Sequence, residues 1–206
     1  YLAQDRSDIA YATEELGRKM QSPNQGDLKA FERLSRYLRG RVRVVPVYQY
    51  QSAGGFLDTW VDTAYAGCKR TRKSTRGGII ALGEHAIKCW STTQNIIALS
   101  SGEAEYYGLV KGASIAMGIR SMHGEMGIKV GIQVNTDASA AKGIAHRRGL
   151  GKVRHIEIHQ LWVQDKVASG EIVVRKVEGK SNIADMMTKH VTAEDLRVHM
   201  HHTSQG

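Results

Sequence analysis

Four acidic residues hold the chemistry this sequence offers: Asp62 in TWVDTAYAG, Glu105 in LSSGEAEYYGL, Asp137 in QVNTDASAAKGIA and Asp185 in SNIADMMTK. Their segments read, in order, as strand, helix, strand end and helix, and each acid falls at or near the edge of its element. None has an obvious Lys or Arg beside it in sequence to neutralise it. Carboxylates drawn together from four elements need a cation between them. An oxygen-only ligand set suits a hard ion such as Mg²⁺ or Mn²⁺. Two such ions in one site is the chemistry of phosphodiester cleavage.

Each acid also has a plainer reading. Asp62 follows Trp60 and Val61 inside a strand pattern, where Asp is depleted and an unpaired buried carboxylate is costly; Ala66-Gly67 would otherwise make it a strand-end turn residue. Glu103 and Glu105 lie about 200° apart on a helix, so one of them can face the sheet. Glu105 continues into Leu109, Gly112 and Ala116, an apolar stripe, and is the ligand candidate. Glu103 continues into Tyr107, Lys111 and Ser114, read as a wet face, and completes a capping box with Ser100. Asp137 ends an alternating strand and could cap the helix that follows, a role compatible with sitting at the carboxyl end of a sheet strand. Asp185, in the first turn of a short helix, is favoured there by the helix dipole alone. Its value is as the fourth member of the set. His155 and His159 are one helical turn apart but lack a third zinc ligand, and His199, His201 and His202 read as a polar tail. Cys68 and Cys89 read as small buried hydrophobes.

The positioning elements follow from periodicity. Two amphipathic helices are expected within residues 1–45, broken at Ser22-Pro23-Asn24, the second carrying Leu28, Phe31, Leu34 and Leu38 and ending near Gly40. From Val42 the texture turns β-branched, and Ser52-Ala53-Gly54-Gly55 is a turn or linker that sets a boundary: a helical segment over 1–50 and a second domain over 51–206 with a polar C-terminal tail. Strands are expected at 56–66, 75–83, 86–92, 130–136 and 171–177. Helices are expected from Ser100, from 138, at 155–168 and at 182–189. This succession predicts an α/β fold, a mixed five-stranded sheet with helices on its faces.

A formal charge of +9 favours a polyanionic partner. The charge is clustered. Lys69, Arg70, Arg72, Lys73 and Arg76 come without an intervening acid, and Arg147, Arg148 and Lys152 anchor a second group. Both flank the acidic quartet in sequence, which points to phosphate contacts over simple solubility. The low aromatic share, 6%, argues against a binder built on stacked bases. No apolar run approaches a membrane span and no charged-then-apolar leader opens the chain, so no membrane partner is expected. Two cysteines are too few for a disulfide framework, and the default compartment is a reducing, intracellular one. A chain that opens on Tyr1 reads as a piece of something longer.

The runs TWVDTAYAGCKRTRKSTRGG, IKCWSTTQNIIALSSGEAEYYGL, VNTDASAAKGIA, VRHIEIHQLWVQDKVASGEI and SNIADMMTK, in this order, resemble the ribonuclease H domain of copia-type LTR retrotransposon polyproteins. YLAQDRSDIAYATEEL with AFERLSRYLRG is similar to that family's segment joining reverse transcriptase to ribonuclease H. The resemblance runs to about residue 200. It implies an RNase H-like fold and a metal-dependent endonuclease that cuts the RNA strand of an RNA–DNA hybrid during reverse transcription, with Asp62, Glu105, Asp137 and Asp185 as catalytic metal ligands for two Mg²⁺ or Mn²⁺ ions. It implies as partners the hybrid and the reverse transcriptase part of the same polyprotein, and a cytoplasmic (virus-like particle) or nuclear location. The sequence departs from the family's first motif at Ala64 and Tyr65, which replace an acid and a tryptophan, and from its His-Ile-Asp at Glu157. The loop Glu178–Asn182 lacks the histidine that cellular enzymes of the superfamily carry. The competing expectation is a non-catalytic hybrid- or RNA-binding remnant of a retroelement.

Overall fold

The computed structural model describes residues 2–52, 54–151 and 156–203. Three strands run in sequence as an antiparallel meander: β1 (Phe56–Ala64), β2 (Thr75–Leu82) and β3 (His85–Thr93). Helix α4 (Ser101–Glu125) then crosses over to β4 (Gly131–Thr136), which pairs parallel to β1. Helices α5 (Ser139–His146) and α6 (Trp162–Ala168) lead to β5 (Ile172–Lys176), parallel to β4. The sheet order is β3-β2-β1-β4-β5, so β1 lies at its centre. The five expected strands are present within two residues at each end, because period-two alternation marks a strand with one face in the core.

One face carries Leu57 and Val61 of β1, Ile132 and Val134 of β4 and Ile172 and Val174 of β5, under α4, α5 and α6. Every one of these six is less than 5% exposed, so this is the main core. The long helix lies very close to β1. A Cβ built on Gly108 would overlap Thr63 Oγ1, and one on Gly112 would crowd Val61 and Thr59. These two glycines, one turn apart, let α4 approach close enough to bring its first turns over the end of β1.

The other face is covered by α2 (Ser7–Gly17), by the 3₁₀ turn Ile183–Met187 and by α7 (Ala193–His202). Ala10, Ile79, Ala86, Ile183, Met186 and Met187 form a second, smaller core there. Gly77 of β2 has no side chain where Met187 rests, and a Cβ there would overlap the methionine's own Cβ. Helix α2 is also tied down by polar contacts: Glu14 Oε1 accepts from the Thr93 backbone N–H (2.8 Å) and hydroxyl (2.6 Å). A single turn, α1 (Leu2–Asp5), precedes it. Helix α3 (Gln25–Gly40) is held to α2 at both ends. Lys19 pairs with Asp27 at 2.8 Å, and Arg6, Asp8 and Tyr37 form a network in which Asp8 accepts from Arg6 (2.7 Å) and from the Tyr37 hydroxyl (2.6 Å).

Several expectations need correction. The helix expected at 182–189 is the 3₁₀ turn Ile183–Met187: the Asn182 side chain caps Ala184 N–H and donates its own amide to Val61 O (2.9 Å), which holds the segment against β1. The helix expected at 155–168 is a 3₁₀ turn, Ile158–Gln160, followed by α6; His155 lies outside the described residues. The C-terminal histidines belong to α7, where His199 and Met200 are buried, and are no free polar tail. Residues 41–52, β-branched by sequence, form no strand. They cross the surface with Val45, Val47 and Tyr50 exposed.

The close contact of α4 with β1 is directly testable. Gly108→Ala should destabilise the protein by about 1–3 kcal/mol through overpacking. Gly118→Ala, on the open side of the same helix with nothing within 4 Å, should raise stability by up to about 1 kcal/mol. Thermal melts of the two variants against wild type check both signs.

Candidate active site

Asp62 reaches the site from β1. Continuing the β1–β4 register, in which Trp60 faces Asn135, by two residues puts Asp137 level with Asp62 at the carboxyl ends of neighbouring parallel strands. Helix α4 supplies the third acid. Its N-cap Ser100 accepts from Glu103 N–H at 3.2 Å, which starts the helix and leaves Glu105 as its fifth residue, above the end of β1. One carboxylate oxygen from each of Asp62, Glu105 and Asp137 lies within 4.8 Å of the others. Asp62 is buried; Glu105 and Asp137 are half-buried.

Asp137 is not a helix cap. The N-cap of α5 is Ala138, with no side-chain cap, so the Asp137 carboxylate is left to the cluster. The loop Glu178–Asn182 passes beside it, and a Cβ on Gly179 would stand 3.3 Å from Asp137 Oδ2. Asp185 is brought to the same region by the 3₁₀ turn but lies outside the group of three.

The expectation that no cation neighbours the acids is also wrong. Lys189 follows Asp185 by four residues and its Nζ is 2.8 Å from Asp185 Oδ2. The signal was present in the spacing, since i and i+4 groups meet when the chain coils. Thr188, also unremarked in sequence, donates its hydroxyl to Asp62 Oδ2. Glu103 differs from expectation too. It and Tyr107 are both buried, the tyrosine hydroxyl donating to Glu103 Oε1 at 2.7 Å, while Oε2 accepts from Leu99 N–H at 2.8 Å. That face of α4 is dry near its start because residues 94–99 fold over it, with Gln94 bonded to Ala104 O.

The electrostatics are those of crowded anions. Burial, with the charges of Asp62 and Asp137 added, pushes the Glu105 carboxyl up to about 9, against the pull of the Thr63 backbone N–H and Lys189. Burial also raises Asp62 above the usual range, with Asp185 and Asp137 adding to it and the Thr188 hydroxyl opposing. Asp185 is raised chiefly by burial despite Lys189. Burial works to lower the Lys189 amine, yet its bond to Asp185 and the charges of Asp62, Asp185 and Asp137 carry it above the ordinary lysine value. Glu105 Oε2 and Asp185 Oδ1 are buried with no hydrogen-bond partner. Such orphaned oxygens in an all-carboxylate set fit divalent hard cations, and the residues present suit Mg²⁺ or Mn²⁺.

The basic residues divide. Lys69, Arg70, Arg72 and Lys73 lie in the β1–β2 turn, three of them exposed and Lys73 half-buried; Arg72 has a positive φ of 59°, and Arg70 donates to Arg18 O at the end of α2. Arg76 is half-buried in β2, with Nε 3.4 Å from the Thr92 hydroxyl. Arg147, half-buried, follows α5 beside Gly151, and Arg148 is exposed. Lys152 lies outside the described residues. Cys68, in the same β1–β2 turn, and Cys89, in β3, are both half-buried, unlike the buried hydrophobes expected; a hydrogen bond with Thr71 lowers the Cys68 thiol, whereas burial lifts the Cys89 thiol to about 12.

A central strand flanked by an antiparallel pair on one side and a parallel pair on the other, with carboxylates at the ends of β1 and β4 and the start of α4, defines an RNase H-like α/β domain. The chain is a homologue of copia-like transposon polyproteins, as its motifs implied. It is 31% identical over 196 residues to the retrovirus-related Pol polyprotein from transposon RE1 of Arabidopsis thaliana, a match that takes in 92% of this chain and 13% of that protein. The corresponding polyprotein from transposon TNT 1-94 of Nicotiana tabacum is 27% identical over 188 residues, covering 90% of this chain and 14% of its own. The chain therefore spans about an eighth of the length of the curated relatives it matches. A comparison with family profiles finds no match. Among solved structures it is similar to the N-terminal RNase H domain of a Mycobacterium tuberculosis protein (18% identity, TM-score 0.44, 72% of this chain and 96% of that one). It is also similar to an RNase H1 isolated from compost (15% identity, TM-score 0.46, 65% and 93%).

The raised Glu105 carboxyl predicts a pH dependence. Between the ordinary value of 4.5 and about 9 the folded state holds a proton that the unfolded chain has lost. The stability this adds is complete below the ordinary value and is lost as pH rises toward about 9. In the presence of chelator the melting temperature should fall across that window. With Mn²⁺ the fall should be shallower, since the ion replaces the proton. A chelated protein whose melting temperature is flat from about pH 5 to 9 would contradict the crowding of these carboxylates.

Proposed function

We propose that this chain is a metal-dependent endonuclease that hydrolyses the RNA strand of RNA–DNA hybrids during retrotransposon reverse transcription. The observation that carries the reading is the meeting of Asp62, Glu105 and Asp137 within 4.8 Å at the ends of two parallel strands, with Asp185 beside them. Its homology to Pol polyproteins supports the setting. Asp62 and Asp137, on adjacent strands, would hold the ions in common, with Glu105 and Asp185 each adding a ligand. Divalent ions held by these residues would supply a water of lowered pKa and charge stabilisation for the leaving 3′ oxygen. The protein's own part is to hold the four carboxylates at fixed spacing. Thr188 and Asn182 serve this by pinning Asp62 and the 3₁₀ turn against β1.

The exposed turn with Lys69, Arg70, Arg72 and Lys73, together with Arg148, holds phosphates and gives no base specificity, while Arg76 and Arg147 act from half-buried positions. RNA is told from DNA by its 2′-hydroxyls in the shallow minor groove of the hybrid. Residues 1–50 are the connection from the end of the reverse transcriptase and 51–206 the RNase H-like domain, working in an intracellular particle or the nucleus. Among the described residues no helix is long and apolar enough to cross a membrane.

The test uses a hybrid with end-labelled RNA, Mg²⁺ or Mn²⁺, and a chelator control. Wild type should shorten the RNA and leave duplex DNA intact. Asp137→Asn should lose at least ~100-fold in rate, beyond what the loss of an outer-shell partner costs. Because Asp137 caps no helix, the variant should melt no lower than wild type in chelator. A folded wild type that cuts no hybrid above the chelator control would favour a binding module, and Asp137→Asn at full rate would sink the ligand assignment.

A further inference from the structure

Lys189 is the cation that the acidic cluster carries in its own chain. Its Nζ touches Asp185 Oδ2 at 2.8 Å and its charge acts on Asp62, Asp137 and Glu105 as well, so one ammonium serves four carboxylates. The contact is asymmetric. Asp62, Glu105 and Asp137 stand together, one oxygen of each within 4.8 Å of the others, whereas Asp185 is turned to the lysine, with its other oxygen buried and unpartnered.

The two ends of Lys189 are held differently. Its backbone N–H donates to Asp185 O at 3.1 Å, and the neighbouring Thr188 is buried with its hydroxyl on Asp62, so the root of the side chain is fixed. The side chain itself is 52% exposed, so its head can leave for solvent without opening a cavity. A four-carbon stem with a compact, well-hydrated charge suits such a movement. A divalent ion on the unpartnered Asp185 Oδ1 and the ammonium on Oδ2 would stand only a few ångströms apart and repel, so each weakens the other's hold on the carboxylate.

We propose that Lys189 is a displaceable resident counter-ion, which holds Asp185 in the metal-free protein and competes with a divalent ion that binds there. This rests on the metal-site reading above and adds an order to it. The group of three takes the first ion; the second binds more weakly, in competition with the lysine. The protein thereby keeps its crowded carboxylates partly neutralised when metal is scarce, at the expense of affinity for the second ion.

Calorimetric titration with MnCl₂ alone, without nucleic acid, tests this on the wild-type chain, Lys189→Gln and Lys189→Arg. Wild type should bind one equivalent tightly and a second weakly. Lys189→Gln should bind the second about ten-fold more tightly with the first little changed, a gain of ~1.4 kcal/mol. Lys189→Arg keeps the charge and should retain the weak second equivalent. Melting in chelator gives an independent readout: Lys189→Gln should melt below wild type, and added Mn²⁺ should close the gap. If wild type binds Mn²⁺ and the Gln variant takes the second equivalent no more tightly, or the Arg variant takes it as tightly as Gln, the counter-ion role is wrong while the metal site stands. If none of the three binds Mn²⁺, the metal-site reading falls and this inference falls with it.

Discussion

Three carboxylates held within 4.8 Å of one another in a largely buried recess repel, and the rest of the fold is arranged to keep them there. The parallel pairing of β1 with β4 sets Asp62 beside Asp137, and hydrogen bonds along that ladder cannot slip by one residue without turning the core face of β4 to solvent. Gly108 and Gly112 let α4 sit against β1, which puts Glu105 above the same strand end. Gly77 lets the 3₁₀ turn rest on β2, which brings Asp185, Thr188 and Lys189 in from the opposite face. The site is therefore assembled from both sides of one sheet, and the folding energy of two cores opposes the repulsion at their junction.

The helical hairpin of α2 and α3 takes part in this arrangement. Ala10 enters the second core beside Met186 and Met187, the residues that follow Asp185. Glu14 and Arg18 reach across to Thr93 and Thr75 at the ends of β3 and β2. The second face of the sheet, which would otherwise expose Ile79 and Ala86, is covered by α2, which α3 braces from outside, together with the 3₁₀ turn and α7.

The strands and the start of α4 were legible because each is a local pattern. Alternation marks β1 to β5, and Ser100 with Glu103 marks a helix start whatever packs on it. Asp62 and Glu105 were legible for a related reason, as acids on apolar patterns where a carboxylate is out of place, and Asp137 as an acid at the carboxyl end of a sheet strand. What was not legible depends on contacts far apart in sequence. Glu103 looked wet because its neighbours Lys111 and Ser114 are polar, yet residues 94–99 fold back over it. The segment after Asn182 looked helical, but that side chain is bonded to Val61, 121 positions away. Asp137 looked like a cap, and only the position of Ala138 in the folded chain frees it. Lys189 was missed although it stands at the spacing that pairs charges on one helical turn.

The central claim is that these carboxylates form one site for divalent ions, and crystals grown with Mn²⁺ and a catalytically blocked hybrid would test it most directly. Anomalous scattering should show one ion among Asp62, Glu105 and Asp137 and a second among Asp62, Asp137 and Asp185, with Lys189 swung away from Asp185 and the cleavable RNA phosphate against both. Anomalous density elsewhere, or a fully bound hybrid whose phosphate meets these carboxylates with no ion between them, would contradict the account.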